Sequence, residues 1–471
     1  MKRTFGFFLP LILLASCAPA VDSSTPASEI AAQTAPSGTL SAGLTSADFS
    51  SLSYTEAFDR VFAIAETQYA FNGVEGKQPD WDALKSAIRP RIIQAESNHD
   101  AQAYFLALRD FTLAFRDGNV NLGGGDIQVG LFQAETEGGY GLALRELGDG
   151  RVIVTSLTPG GPAESAGIQV GAQVTSFNGR PISEAIEATR IWGAPPSLES
   201  TMRYQQLRYL TRARRNTSAV IVYVNPGGSA ATATLVAIAE RESFAATSYF
   251  LHYDPNAPPV ESRLLASGAG YVKFSSTSDN PELISSLFEA ALRDFSQTGA
   301  PGLVIDLRVV ANLAAGLTGP VGLAGYLSDA PIPLGQLQFF DAKTGKFEDE
   351  GSPSFFAPRA SHFSFGKIIL LVGPGCSGLC ELEAYALAQL PGATVIGQYP
   401  SAGTYADATR GQFLLPEGFK LQIPTGRFVL PDGSLLIEGQ GIPLTIRVLV
   451  DEATVLSATD AVLEAAEAQF K

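Results

Sequence analysis

The stretch Gly373-Pro374-Gly375-Cys376-Ser377-Gly378-Leu379-Cys380-Glu381 decides how the rest of the chain is read. The apolar run Ile368-Ile369-Leu370-Leu371-Val372 enters it, and an Ala/Leu-rich segment, residues 382–390, leaves it. The pattern is a buried strand, a sharp turn and a helix. Such a turn lifts one side chain clear of a sheet beside the free N–H groups of a helix start, where a hydrolase can mount a nucleophile.

Outward from the turn, residues 265–450 alternate strands and helices. Gly270-Tyr271-Val272-Lys273-Phe274 reads as a strand and residues 282–298 as an amphipathic helix. Gly302-Leu303-Val304-Ile305-Asp306-Leu307-Arg308 reads as a buried strand ending in charge, and residues 393–397 as a further strand. This alternation predicts an α/β unit around a largely parallel sheet. Leu414-Leu415-Pro416-Glu417-Gly418 and Leu430-Pro431-Asp432-Gly433 mark β-turns. Residues 458–470 read as a terminal helix with Ser457 at its N-cap.

Toward the N-terminus, residues 54–71 place Phe58, Val61, Phe62, Ala65 and Tyr69 at helical spacing, and residues 81–95 and 101–115 continue the pattern. That region closes on Phe115-Arg116-Asp117-Gly118-Asn119-Val120. Between the helical region and the α/β unit lie Gly139-Tyr140-Gly141-Leu142-Ala143-Leu144, the strand Val152-Ile153-Val154, and Pro159-Gly160-Gly161-Pro162-Ala163-Glu164-Ser165-Ala166-Gly167-Ile168. Then come Val170-Gly171-Ala172-Gln173-Val174 and the hairpin turn Asn178-Gly179. Residues 182–215 read as helix with a basic cluster (Arg208, Arg212, Arg214, Arg215) expected to be an internal salt-bridging face, and residues 219–224 and 231–238 as two strands.

The whole chain bounds the function classes. Its 471 residues allow roughly two or three domains, and 45% apolar residues make it globular. A net charge of −15 argues against nucleic acid and against an anionic membrane surface as partners. There is no His-Glu-x-x-His, phosphate loop or dinucleotide fingerprint, so no metal or cofactor is expected. His99, His252 and His362 fall in no triad or metal motif, although a pairing of His362 with Cys376 or Ser377 is open.

The first residues read as a targeting segment. Lys2 and Arg3 precede a short apolar run, residues 5–14, too short to span a bilayer. Leu14-Ala15-Ser16-Cys17 resembles a bacterial lipobox, which implies cleavage before Cys17 and its acylation; the alternative is an ordinary signal peptide cut near Ala18 or Ala20. Acyl chains would hold the protein at a membrane surface, outside the cytoplasm, by the anchor alone. Residues 18–46, rich in Ala, Ser, Thr and Pro, read as a flexible tether. With Cys17 lipidated, Cys376 and Cys380 form either a short disulfide or two buried thiols, and are too few for a metal site.

Residues 126–225 resemble a PDZ domain. The resemblance makes Gly139, Tyr140, Gly141 and Leu142 the loop whose N–H groups capture a peptide's terminal carboxylate, with the adjoining sheet edge adding the peptide as a strand. The Gly373–Glu381 turn, Trp81-Asp82, the Phe115–Val120 stretch and Gly439-Gln440-Gly441-Ile442-Pro443-Leu444 resemble the carboxyl-terminal processing (tail-specific) serine peptidases. The implied architecture is multidomain α+β. It comprises a signal peptide (1–17), the tether (18–46), a small helical domain (47–122), the PDZ domain (126–225), an α/β peptidase core of ClpP/crotonase type (226–455) and a C-terminal helix (456–471).

That family is expected to use a Ser–Lys dyad, in which a desolvated, neutral Lys takes the proton of the attacking Ser. This sequence departs from the pattern at three places. Aligned on Glu381, with Cys376 and Cys380 flanking, the nucleophile position falls on Gly378; Ser377 is one residue early, and such an offset rotates a helical side chain by about 100°, away from the cleft. The two readings of Ser377 are a displaced nucleophile and a cap for the following helix. In Pro400-Ser401-Ala402-Gly403-Thr404-Tyr405, Thr404 stands at the Lys position, and Lys367 and Lys420, the nearest lysines, fall outside that turn. A hydroxyl is no general base near neutral pH. The run Val309-Val310-Ala311-Asn312-Leu313-Ala314-Ala315-Gly316 stands where relatives carry a Gly-rich oxyanion loop, and Asn119 stands where many carry His. The expectation is a lipid-anchored member of the family that binds C-terminal or unfolded peptide segments, with weak or absent proteolysis. The alternative is an active serine endopeptidase using Ser377.

Overall fold

The computed structural model describes residues 46–249, 258–275, 280–310 and 322–471. The leader, Cys17, nearly all of the tether, His252 and residues 311–316 of the oxyanion-loop run lie outside the described residues.

Helices Tyr54–Gln68, Trp81–Ser97 and Ala101–Thr112 begin on Ser53, Asp80 and Asp100, whose side chains each accept from a first-turn N–H. Their apolar faces, with helix Gly125–Thr136, bury an aromatic cluster in which Phe58, Phe62, Trp81, Phe111 and Phe115 meet mostly edge to face. A hairpin from the core, strands Gln412–Leu414 and Lys420–Gln422, pairs with Ala47–Asp48 and Asn121–Gly123. It thrusts Phe419 into that cluster, 5.7 Å from the Tyr104 ring and 5.5 Å from the Phe105 ring.

The PDZ sheet runs in the order Ala230–Val236, Ser218–Val224, Gln173–Phe177, Val152–Leu157, Leu142–Glu146. Strand Ala230–Val236 pairs along its whole length with Ser218–Val224, so this sheet reaches beyond residue 225. The intervening Pro226-Gly227-Gly228 is a hairpin turn and not a domain linker. The predicted helix 182–215 is two helices, Ile182–Glu187 and Glu199–Leu210, because Gly193, Pro195 and Pro196 interrupt it.

The core sheet has the order Val260–Leu264, Gly270–Phe274, Leu303–Asp306, Ile368–Leu371, Ala393–Gly397, Ile446–Arg447, parallel except for its first strand. Its central strands, Leu303–Asp306 and Ile368–Leu371, are buried along their whole length because both faces are covered. Helices Pro281–Gln297 and Leu379–Ala388 pack on one face and helix Ala461–Glu467 on the other. That last helix is shorter than expected and is capped by Asp460; Ser457 bonds Thr459 instead. Arg308 grips Asp306 and Asp460 at 2.6 and 2.7 Å, tying this helix start to the end of a central strand. Among the described residues no helix is long and apolar enough to cross a membrane.

Because Phe419 belongs to the core but fills the helical domain, Phe419→Ala is expected to lower stability by about 3–5 kcal/mol and to loosen both units in one transition. Denaturant unfolding followed by tryptophan fluorescence checks this.

Candidate active site

Strand Ile368–Leu371 ends at the turn, and helix Leu379–Ala388 begins on Gly378. Gly378 has φ 60° and ψ −121°, a left-handed conformation that costs any side-chain-bearing residue strain. This is the tight strand-to-helix elbow that the sequence pattern predicts, with a glycine at its apex. Gly378 makes no side-chain cap, and Ser377 does not cap the helix either. Cys376 and Cys380, both fully buried, are joined as a disulfide with Cα atoms 5.4 Å apart, across the two residues at issue.

Ser377 lines a cavity together with Gly118, Gly375 and Thr404. The one-residue offset therefore does not remove it from the cleft, because Ser377 lies ahead of the helix, which begins at Leu379 after the positive-φ Gly378. Among the described residues its hydroxyl makes no hydrogen bond, to a base or to any other group. His362 sits elsewhere, with Nε2 3.2 Å from Asp329 Oδ1. Lys367 reaches the Gln469 carbonyl and the Phe470 ring, and Lys420 lies in the hairpin strand.

The turn 401–404 is held against the helix by one buried carboxylate. Glu381 accepts from Ser401 Oγ at 2.5 Å, Gly403 N at 2.6 Å and Thr404 N at 2.8 Å. Burial lifts its pKa to about 7 in spite of these donors. Thr404 Oγ1 lies 3.3 Å from Ser197 Oγ. Ser197 donates to Glu438 Oε1 at 2.8 Å and accepts from Gly118 N at 3.1 Å.

Glu438 gathers residues from all three units. Lys77 Nζ donates to it at 2.5 Å, Tyr405 N at 2.7 Å and Asn119 Nδ2 at 3.3 Å. Asn119 also donates to Asp117 Oδ1 at 2.8 Å. Ile437, just before Glu438, is held at φ 67°, a strained conformation for a β-branched residue. Burial first, then repulsion from Asp117, lifts Glu438 to about 8, while Lys77 opposes the rise. Asp117 is raised as well, chiefly by burial. One lysine shared by two buried carboxylates leaves the cluster holding an extra proton near neutral pH.

Sequence reasoning missed Lys77, Ser197 and Glu438. Lys77 and Glu438 are 361 positions apart, and neither sits in a motif. The nearest signal is a charged residue inside the Gly-rich stretch 437–441. The positions singled out in the sequence bring a backbone elbow at Gly378, an amide at Asn119 and a hydroxyl at Thr404 to this cleft.

In the PDZ domain, Gly138–Gly139 pairs with Arg212–Ala213 and with Ile238–Ala239, and Leu142–Glu146 is the sheet's edge strand. A side chain on Gly139 would collide with Glu240 and Arg212, which are paired at 2.5 Å beneath the loop. The helix Glu199–Leu210 lies beside the edge strand, and the chain's own segment 242–249 covers its flank. There Tyr204 Oη donates to Thr247 O at 2.5 Å and its ring stacks on Tyr249 at 4.6 Å.

Two outcomes are expected. Removing three buried acceptor contacts, Glu381→Ala should lower stability by at least about 2 kcal/mol in denaturant unfolding. The raised Glu438 binds a proton in the folded state that the unfolded chain has released above its usual value of 4.5, so stability falls as pH rises toward 8. Thermal melts should show that fall between about pH 5 and about pH 8, and Glu438→Gln should flatten part of it; Glu381 and Glu383, each lifted to about 7 by burial, account for the rest.

Residues 128–190 match the PDZ domain family and residues 268–448 match peptidase family S41. No curated protein matches the chain. Among solved structures, mature CPAF complexed with lactacystin is similar over 89% of this chain and 97% of its own, with 12% identity and a TM-score of 0.62. Another structure of mature CPAF covers 88% and 95% at 11% identity and TM-score 0.57. A candidate peptidase from Parabacteroides merdae covers 89% and 96% at 14% identity and TM-score 0.50. At these identities the likeness is one of fold. Residues 268–448 are thus a core of peptidase family S41, the carboxyl-terminal processing peptidases, with a PDZ domain ahead of it at residues 128–190.

Proposed function

We propose that this protein is a recognition member of its peptidase family, held outside the cytoplasm by a lipid on Cys17, that binds C-terminal or unfolded peptide segments and cleaves them weakly or not at all. The observation that carries this reading is the glycine at the elbow. With Gly378 at φ 60° and ψ −121°, the position that the family pattern assigns to the nucleophile carries no hydroxyl. Thr404 at the expected Lys position and Asn119 at the His position add to it, since neither takes up a proton near neutral pH. Binding falls to the PDZ loop Gly139–Leu142 and to the cleft beside Ser377. The leader pattern at residues 14–17 supports the lipid anchor.

A second reading, a serine endopeptidase using Ser377, draws on the placement of that residue in the cavity wall. Incubating the full-length chain with an unfolded protein bearing an apolar C-terminal tail separates the two. The recognition reading expects no cleavage, binding that needs a free carboxyl terminus, and about tenfold weaker binding in Gly141→Val, whose φ of 73° favours glycine. Cleavage that disappears in Ser377→Ala would establish the peptidase instead.

A further inference from the structure

The cavity beside Ser377 contains a charge that its surroundings leave uncompensated. Arg208, 4% exposed, lines it. Its guanidinium donates to Thr247 Oγ1 at 3.1 Å, Gln205 Oε1 at 2.8 Å and Phe244 O at 3.4 Å, and stacks on the Phe244 ring at 4.4 Å. All of these partners are neutral, and they use only part of a five-donor fork. Among the described residues no carboxylate lies within 4 Å of Arg208, whereas its neighbour Arg212 is paired with Glu240. The basic cluster is thus a salt-bridging face at Arg212 but not at Arg208. A buried cation without a counter-ion is costly unless something supplies one.

The same cavity holds unused hydroxyls. Thr201, 7% exposed, and Tyr249 both line it, and among the described residues Thr201 Oγ1 and Tyr249 Oη are buried without a hydrogen-bond partner. Ser377 adds a third hydroxyl. Ile191, Trp192, Ala194 and Pro196 form an apolar wall. Glu381 and Glu438 do not line the space, so neither repels an anion there directly. The cavity volume is about 40 Å³, room for about three waters or one acetate-sized group. A larger groove of about 590 Å³ adjoins it, sharing Ser248, Tyr249, Pro374 and Gly375.

We propose that this cavity is a second carboxylate pocket, separate from the PDZ loop, that takes the terminal carboxylate and small apolar side chain of a peptide's last residue. Arg208 supplies the charge; Thr201, Tyr249 and Ser377 supply donors; the preceding residues leave through the adjoining groove. This rests on the recognition reading and assigns part of that binding to the former catalytic cleft.

The test titrates the full-length chain with N-acetyl-alanine and with its neutral amide, following Trp192, which forms part of the wall. The acid is expected to bind at least about tenfold tighter than the amide, and Arg208→Gln to abolish that preference. If Arg208→Gln does not fold, the double variant Thr201→Val, Tyr249→Phe decides: it removes only unpartnered hydroxyls, so it should fold and bind the acid severalfold more weakly. No saturable acid binding, equal binding of acid and amide, or unchanged acid affinity in these variants overturns the proposal. A tail peptide bound through its carboxylate, weakened by Gly141→Val but untouched by Arg208→Gln, overturns the pocket and leaves the PDZ reading standing. A tail that does not bind at all removes both.

Discussion

One buried carboxylate sets the geometry on which the rest of the cleft depends. Glu381 sits in the first turn of helix Leu379–Ala388 and gathers three donors from the turn 401–404. It therefore fixes how far Thr404 stands from the elbow at Gly378. The disulfide between Cys376 and Cys380 ties the same elbow from the other side. Two constraints on one short turn hold the elbow's positive-φ conformation, which glycine adopts without the cost a side chain would bring.

The second feature is that the cleft is assembled from three units. Lys77, Asp117 and Asn119 come from the helical domain, Ser197 from the stretch leading into helix Glu199–Leu210, and Thr404 and Glu438 from the core. These groups are buried, so none of the units can move away without exposing an unpaired charge. The cluster reads as a structural keystone joining the three units: it reaches the elbow through the backbone, where Gly378 N donates to Thr404 O at 3.2 Å, and it leaves Asp117 Oδ2 without a partner among the described residues. The cavity with Arg208 differs in its charge: there a cation has only neutral hydrogen-bond partners among the described residues.

Much of this was legible in the sequence, for identifiable reasons. The core strands announce themselves as uninterrupted apolar runs such as residues 368–372, because a parallel sheet is covered on both faces. The PDZ domain follows from an extended run of turn glycines. The elbow follows from a strand, a Gly-rich turn and a helix in succession. What stayed hidden is non-local. Whether Pro226-Gly227-Gly228 is a linker or a hairpin turn depends on whether strand Ala230–Val236 finds a partner. Asp460 and Ser457 are equally good caps by residue type, and only the bond from Arg308 to Asp460 favours one. Lys77 and Glu438 carry no local mark, and Arg208 looks like any other member of a basic cluster until its neighbours are known.

The central claim is that the family's scaffold has been kept here for recognition, with no activated serine at the elbow. The most direct measurement is intact-mass spectrometry of the full-length protein after exposure to a serine-reactive fluorophosphonate, followed by peptide mapping. An unmodified chain is the expected result, because Gly378 has no hydroxyl and Ser377 has no base among its described neighbours. A stoichiometric adduct on Ser377 would contradict the account, for it would require an activated nucleophile at that turn.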